Sequence, residues 1–112
     1  MSKEKLIELL DREEPDYKAA AALGPEIIPV LLDLTKRGDP RIAPRAVYTA
    51  GLLQDANAIE VLKEGANSSL ADIRVAAAAT LRKVTGMGDS DLLNTLLNDS
   101  DPGVRKVASK GL

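Results

Sequence analysis

The chain repeats itself. Ile42 and Val104 stand 62 residues apart, twice 31, and each follows an Asp-Pro pair (Asp39-Pro40 and Asp101-Pro102), while Ile73 lies halfway between them. The same 31-residue step joins Ala46, Ala77 and Ala108, and it joins Ala50, Leu81 and Leu112. Upstream it joins Leu31, Leu62 and Leu93, and also Val30, Val61 and Leu92. Columns of apolar or small residues held in one register define a repeat. A unit of this size is one supersecondary element that cannot bury its apolar face alone, so its copies must stack and share a continuous core. That requirement limits the chain to a repeat array before any local propensity is weighed.

Each period carries two helical signals. The first is a short amphipathic run, at 26–36, 56–64 and 89–98. The second is longer and Ala-rich, at 40–53, 70–84 and 102–112. Within the second run Ile73, Ala77 and Leu81 recur every four residues, which keeps them on one helix face. Asp39-Pro40 and Asp101-Pro102 read as an N-cap followed by Pro at the first helical position. Ser69 with Asp72 reads as a capping box with Asp in place of Glu. Gly24, Gly38, Gly65 and Gly86 stand where helices should stop. No stretch shows sustained strand alternation. The first 24 residues read as a worn copy, with Leu6, Ile7, Leu9 and Leu10 in one short helix and 15–23 in a second. An end repeat packs on one neighbour only, so degeneracy is expected there. The spacing therefore predicts an all-α fold, an α-α superhelix (α-solenoid) of about four antiparallel hairpins. They form one domain over 1–112, with repeats at 2–24, 25–55, 56–86 and 87–112. The last hairpin ends at Leu112 with no polar cap after it, an end that either frays or serves as a contact surface, so monomer or weak self-association is expected.

Composition removes most chemistries. The chain has no Cys, His, Phe or Trp, and its aromatics are Tyr17 and Tyr48. Thiol nucleophiles, thiolate metal sites and imidazole bases are thereby excluded, and the core must be built from Leu, Ile, Val and Ala. The carboxylate neighbours Glu13-Glu14, and Asp89 with Asp91, diverge on a helix start or loop and read as caps and solvation. Asp99-Ser100-Asp101 is a turn with an N-cap and lacks the terminal Glu of a calcium loop. No Lys-Ser/Thr follows Gly86-Met87-Gly88 and no strand precedes it, so it is not a phosphate loop. Ser68, Ser69 and Thr80 have no base to activate them. The chain is expected not to be an enzyme, and no cofactor or metal is expected. The charged N-terminus lacks the apolar segment of a signal peptide, and no apolar run approaches the roughly 20 residues that span a bilayer. A soluble, cytoplasmic protein is expected.

The second-helix pattern resembles the HEAT-repeat family, particularly its short prokaryotic kind. That family's pattern runs Asp-Pro-x-Val-Arg, then Ala three residues after the Arg, then Leu-Gly seven and eight after it. Asp101-Pro102-Gly103-Val104-Arg105 with Ala108 and Leu112 follows it, as do Ile73-Arg74, Ala77 and Leu81, where Leu70-Ala71 replaces Asp-Pro. Asp39-Pro40-Arg41-Ile42, Ala46, Ala50 and Gly51 follow it with Ala43 in the Arg position, and the first copy has Asp16 there. The resemblance covers nearly the whole chain. It implies a scaffold or interaction fold rather than one activity, because HEAT arrays host many functions. It also implies that Asp and Arg tie adjacent hairpins together, here only through Arg74 and Arg105, in the C-terminal half.

By the same resemblance the second helices line the concave face on which solenoids dock partners. If Val/Ile, Ala and Leu point inward, the outward set is Arg45, Tyr48 and Leu52, then Val75, Ala76, Ala79 and Lys83, then Lys106, Val107 and Lys110. The second helices are rich in bases and the first helices in acids, although formal net charge is −2. The functional reading is a basic strip with an apolar middle, with candidate contacts Arg41, Arg45, Tyr48, Val75, Ala79, Lys83, Lys106 and Lys110. Such a strip suits a partner protein or acidic peptide, with Tyr and Arg as anchors. The plain reading is solvated helix faces, since bases in last turns also follow from helix dipoles. A nucleic-acid backbone binder is the alternative function. Net charge and the scarcity of stacking aromatics oppose it.

Overall fold

The computed structural model describes residues 2–83 and 90–110, without the side chains of Ser2, Arg82, Lys83 and Ser90. The described residues form eight α-helices and no strand: α1 (Ser2–Leu10), α2 (Tyr17–Ala22), α3 (Ile28–Arg37), α4 (Ala43–Leu52), α5 (Ile59–Ala66), α6 (Ala71–Lys83), α7 (Ser90–Leu97) and α8 (Pro102–Ser109). Short 3-10 turns, Pro25–Ile27 and Ala56–Ala58, lead into α3 and α5.

Local chemistry sets the boundaries. The Asp16 carboxylate accepts from the Ala19 N–H at 3.0 Å and opens α2. Asp101 accepts from the Gly103 and Val104 N–H groups at 2.8 and 3.1 Å and opens α8, with Pro102 at its first position. Gly38, in the left-handed region at φ +70°, closes α3.

Three of the expected boundaries are corrected. Asp39 does cap, accepting from Arg41 and Ile42 N–H groups at 2.8 and 3.1 Å. Yet α4 begins at Ala43, because a second proline, Pro44, is tolerated only in a first turn. The start of α6 is held by Ser68, whose Oγ accepts from the Leu70 N–H at 3.1 Å, and not by a Ser69–Asp72 box. Asp72 is one methylene shorter than the Glu that closes such a box. Gly65 is no helix stop either. It is buried inside α5, where a Cβ would stand 3.0 Å from Val47 Cγ2 and 3.4 Å from Ala77 Cβ. It is the point of closest approach of α5 to α4 and α6. The expected ends at Gly86 and Leu112 lie outside the described residues.

The helices pack in two successions. α2 touches α4, α4 touches α6, and α6 touches α8; α3 touches α5, and α5 touches α7. Sequential pairs, α1 with α2 through α7 with α8, bind the successions together. The core lies between them, and the repeat columns fill it: Leu31 and Leu62, Ile73 and Val104, Ala46, Ala77 and Ala108 are all buried. One expectation about facing fails here. Ala76, expected to point outward, is fully buried, as is its neighbour Ala78. α6 contacts α4, α5, α7 and α8, so it has nearly no free face.

The Asp–Arg tie between hairpins is present, with a different acceptor. Arg74 donates to Asp99 through Nε and Nη2 at 2.9 and 3.2 Å, because the Asp101 carboxylate is already occupied as the N-cap. Arg74 and Arg105 also donate to the carbonyls six residues before them, Ser68 O at 2.9 Å and Asp99 O at 2.7 Å. Ties are not confined to the C-terminal half. Arg41 Nε donates to Asp11 at 2.8 Å, and Arg45 Nη1 donates to the carbonyls of Leu10 and Arg12 at 2.6 and 2.7 Å. Among the described residues no helix is long and apolar enough to cross a membrane.

Candidate partner-binding groove

Tyr17, Tyr48 and Ala79 are separated by 31 residues each, so they occupy one column of the repeat, on α2, α4 and α6. Because these helices pack in succession, the column becomes a groove of about 590 Å³. Its walls are Tyr17 from α2, Tyr48, Gly51 and Leu52 from α4, and Ala79 and Thr80 from α6, with Gln54 completing the lining. The two tyrosines pack edge to face, ring centroids 6.1 Å apart and planes at 77°, the arrangement that brings a positive ring edge to a negative ring face. Both rings remain half-exposed. Burial pushes the Tyr17 phenol above its ordinary value of 10.0; the Arg45 guanidinium pulls it back by less, and Tyr48 adds to the upward push. The groove lining contains no formally charged side chain.

Of the residues singled out in the sequence, Tyr48 and Ala79 line this groove. Val75 is half-buried and packs against the core. Arg41 is exposed and paired with Asp11, and Arg45 is half-buried with its guanidinium on the carbonyls that end α1. Lys106 and Lys110 are exposed on and just after α8, outside the groove lining. Lys83 ends α6, and its side chain lies outside the described residues. The structure therefore joins the apolar middle of the strip and gives two of its arginines internal acceptors. Tyr17 is the lining residue that the sequence reading passed over. The signal was present: it stands one repeat before Tyr48.

Thr80 departs from its kind. Thr35, Thr49 and Thr95 each donate a hydroxyl hydrogen bond to the carbonyl four residues back, at 2.8, 2.8 and 2.9 Å. Thr80 occupies the repeat position of Thr49, yet its buried Oγ1 has no partner. A second, shallower depression lies between α5 and α7, lined by Lys63, Asn67, Asp91, Leu92 and Thr95; it is polar and open. Among the described residues no group of three or more acidic, His or Cys side chains is arranged to hold a metal ion.

No protein-family model, curated protein or solved structure matches this chain.

Proposed function

We propose that this chain is a HEAT-type α-solenoid of four hairpins that acts without catalysis as an interaction module, taking a segment of a partner protein across α2, α4, α6 and α8. The observation that carries the reading is the groove: the largest side chains left half-exposed by the fold converge there instead of completing the core. Aromatic side chains in a concave, mainly apolar site are the usual anchors of recognition. The dimensions support the array. Four stacked helices, with three spacings of 8–10 Å and a helix diameter of 10–12 Å, extend about 34–42 Å, and the long axis of the molecule is 39 Å. Lys106 and Lys110, further along the same succession, suit acidic residues flanking the partner's apolar segment. A phosphate-backbone reading gains no comparable support, since Arg41 and Arg45 already donate within the chain.

The test is affinity capture from the native lysate with wild type, Leu52→Glu/Ala79→Glu, and Lys106→Glu/Lys110→Glu, each first shown to keep its helical content. The expected result is a protein retained by wild type, lost by the groove variant and weakened by the α8 variant. Identical retention by all three overturns the reading. Retention of nucleic acid that falls steeply between low and physiological salt would establish the phosphate reading instead.

A further inference from the structure

Four departures from ordinary packing meet at the groove. It holds both aromatic residues of the chain, Tyr17 and Tyr48. It holds Thr80, whose Oγ1 is the one buried side-chain polar atom without a hydrogen-bond partner among the described residues. It holds Gln54, the one non-glycine residue at positive φ (+54°) among them, whose side-chain amide donates to the Gly51 carbonyl at 3.2 Å. It holds Leu52, 52% exposed and one of two large apolar side chains so exposed. Unpaired buried polar groups and left-handed non-glycine backbone are both unfavourable, and they collect where a site is preorganised for something else. A core of Leu, Ile, Val and Ala closes without either tyrosine, so packing does not explain why both stand here.

We infer that the groove receives an aromatic side chain of the partner segment, its ring extending the Tyr17–Tyr48 edge-to-face pair. This rests on the reading of that face as a partner-binding surface. The chemistry selects the occupant. The lining is uncharged, so it favours a neutral group over an acidic or basic one. Gly51 and Ala79 present backbone and a single methyl to the groove, so a flat group meets no branched side chain there. The tyrosines offer a ring edge and a ring face, which favour a third ring over an aliphatic chain of equal area. Leu52 closes over the ring from the rim, and Thr80 is the donor to a carbonyl, phenol or indole-adjacent acceptor brought in with it.

The experiment uses the whole chain, backbone-assigned by NMR, titrated with N-acetyl-tryptophanamide and, separately, N-acetyl-leucinamide, both neutral. Tryptophanamide should shift the amides around Tyr48, Leu52 and Ala79 saturably and bind about 2- to 13-fold tighter than leucinamide, the range that an aromatic pair adds beyond buried area. Tyr48→Leu should abolish that preference, and Ala79→Met, which fills the groove from an exposed helix position, should abolish both titrations. Leucinamide binding as tightly as tryptophanamide overturns the aromatic assignment and leaves partner binding standing, because the capture experiment decides that separately. Absence of saturable shifts from either probe also overturns it.

Discussion

At Asp99 three hydrogen bonds converge on one carboxylate: two from Arg74 and one from the Asp101 N–H at 2.9 Å. Burial pushes the Asp99 carboxyl up. The Asp101 N–H and the Arg74 guanidinium, assisted by Arg105, outweigh it and hold the group below its ordinary 3.8. The side chains are 15% and 9% exposed, so this pair is shielded from solvent far better than the exposed Arg41–Asp11 pair. The sign of the pH effect follows. The folded state binds the proton less readily than the unfolded chain, so the stabilisation is fully present above about pH 4. It is lost as the pH falls through the lowered folded value. Urea unfolding across roughly pH 3–6 should show wild type losing stability on the acid side, with Asp99→Asn less stable at pH 6 but flatter. Equal slopes would place the acid sensitivity at another carboxylate. The register of the repeat made Arg74 legible in the sequence as a tying residue. It did not reveal Asp99 as its acceptor, because two candidate carboxylates stand two residues apart and only the geometry shows that Asp101 is already engaged by the backbone.

Elements were legible where apolar period and capping agreed, and displaced where a second signal competed. α8 begins at Pro102 as its Asp-Pro pair indicates, whereas α4 yields to Pro44 and starts a turn later than its own Asp-Pro pair indicates. A glycine gives the same outward sign for stopping a helix and for letting two helices touch, and Gly65 does the second. The repeat columns told which residues face inward on a helix with one buried side. They misplaced Ala76, because α6 is enclosed by neighbours on several sides. The groove was half legible for a related reason: Tyr48 and Ala79 were visible as an outward column, while Tyr17 lay in the worn first copy, where the family-like pattern is least regular. Two element-scale outcomes follow. Asp101→Ala removes the side-chain acceptor of two N–H groups and should cost about 0.5–2 kcal/mol, read by urea unfolding. Ala77→Leu places a branched side chain where the Ala77 methyl already stands 3.4 Å from the Cβ position of Gly65. It should cost about 1–3 kcal/mol. A variant as stable as wild type would mean that α5 and α6 separate more easily than their packing indicates.

On the scale of the molecule, four hairpins give a radius of gyration of 12.9 Å, close to the ~13 Å expected of a globular chain this long. The array is short enough to be compact, yet each hairpin leans chiefly on its neighbours, and polar ties mark the two terminal junctions. Arg45 and Arg41 hold the first hairpin to the second. Arg74 holds the fourth to the third. In a nearest-neighbour stack a lost tie should loosen the hairpin beyond it and leave the far end unchanged. Arg74→Met keeps the aliphatic stem and leaves Asp99 without its charged donor. It should cost about 1.5–3 kcal/mol, the worth of hydrogen bonds to a charged group. Amide hydrogen exchange should speed in α7 and α8 while α1 to α4 keep their protection. Arg45→Met uncaps the α1 carbonyls and should do the reverse, speeding exchange in α1 and α2 and sparing α8. The groove lies between the two junctions, on α2, α4 and α6, so Arg74→Met should leave it intact and Arg45→Met should loosen its Tyr17 wall. Uniform loss of protection in both variants would show that the chain unfolds as one cooperative unit, its junctions too short to open one at a time.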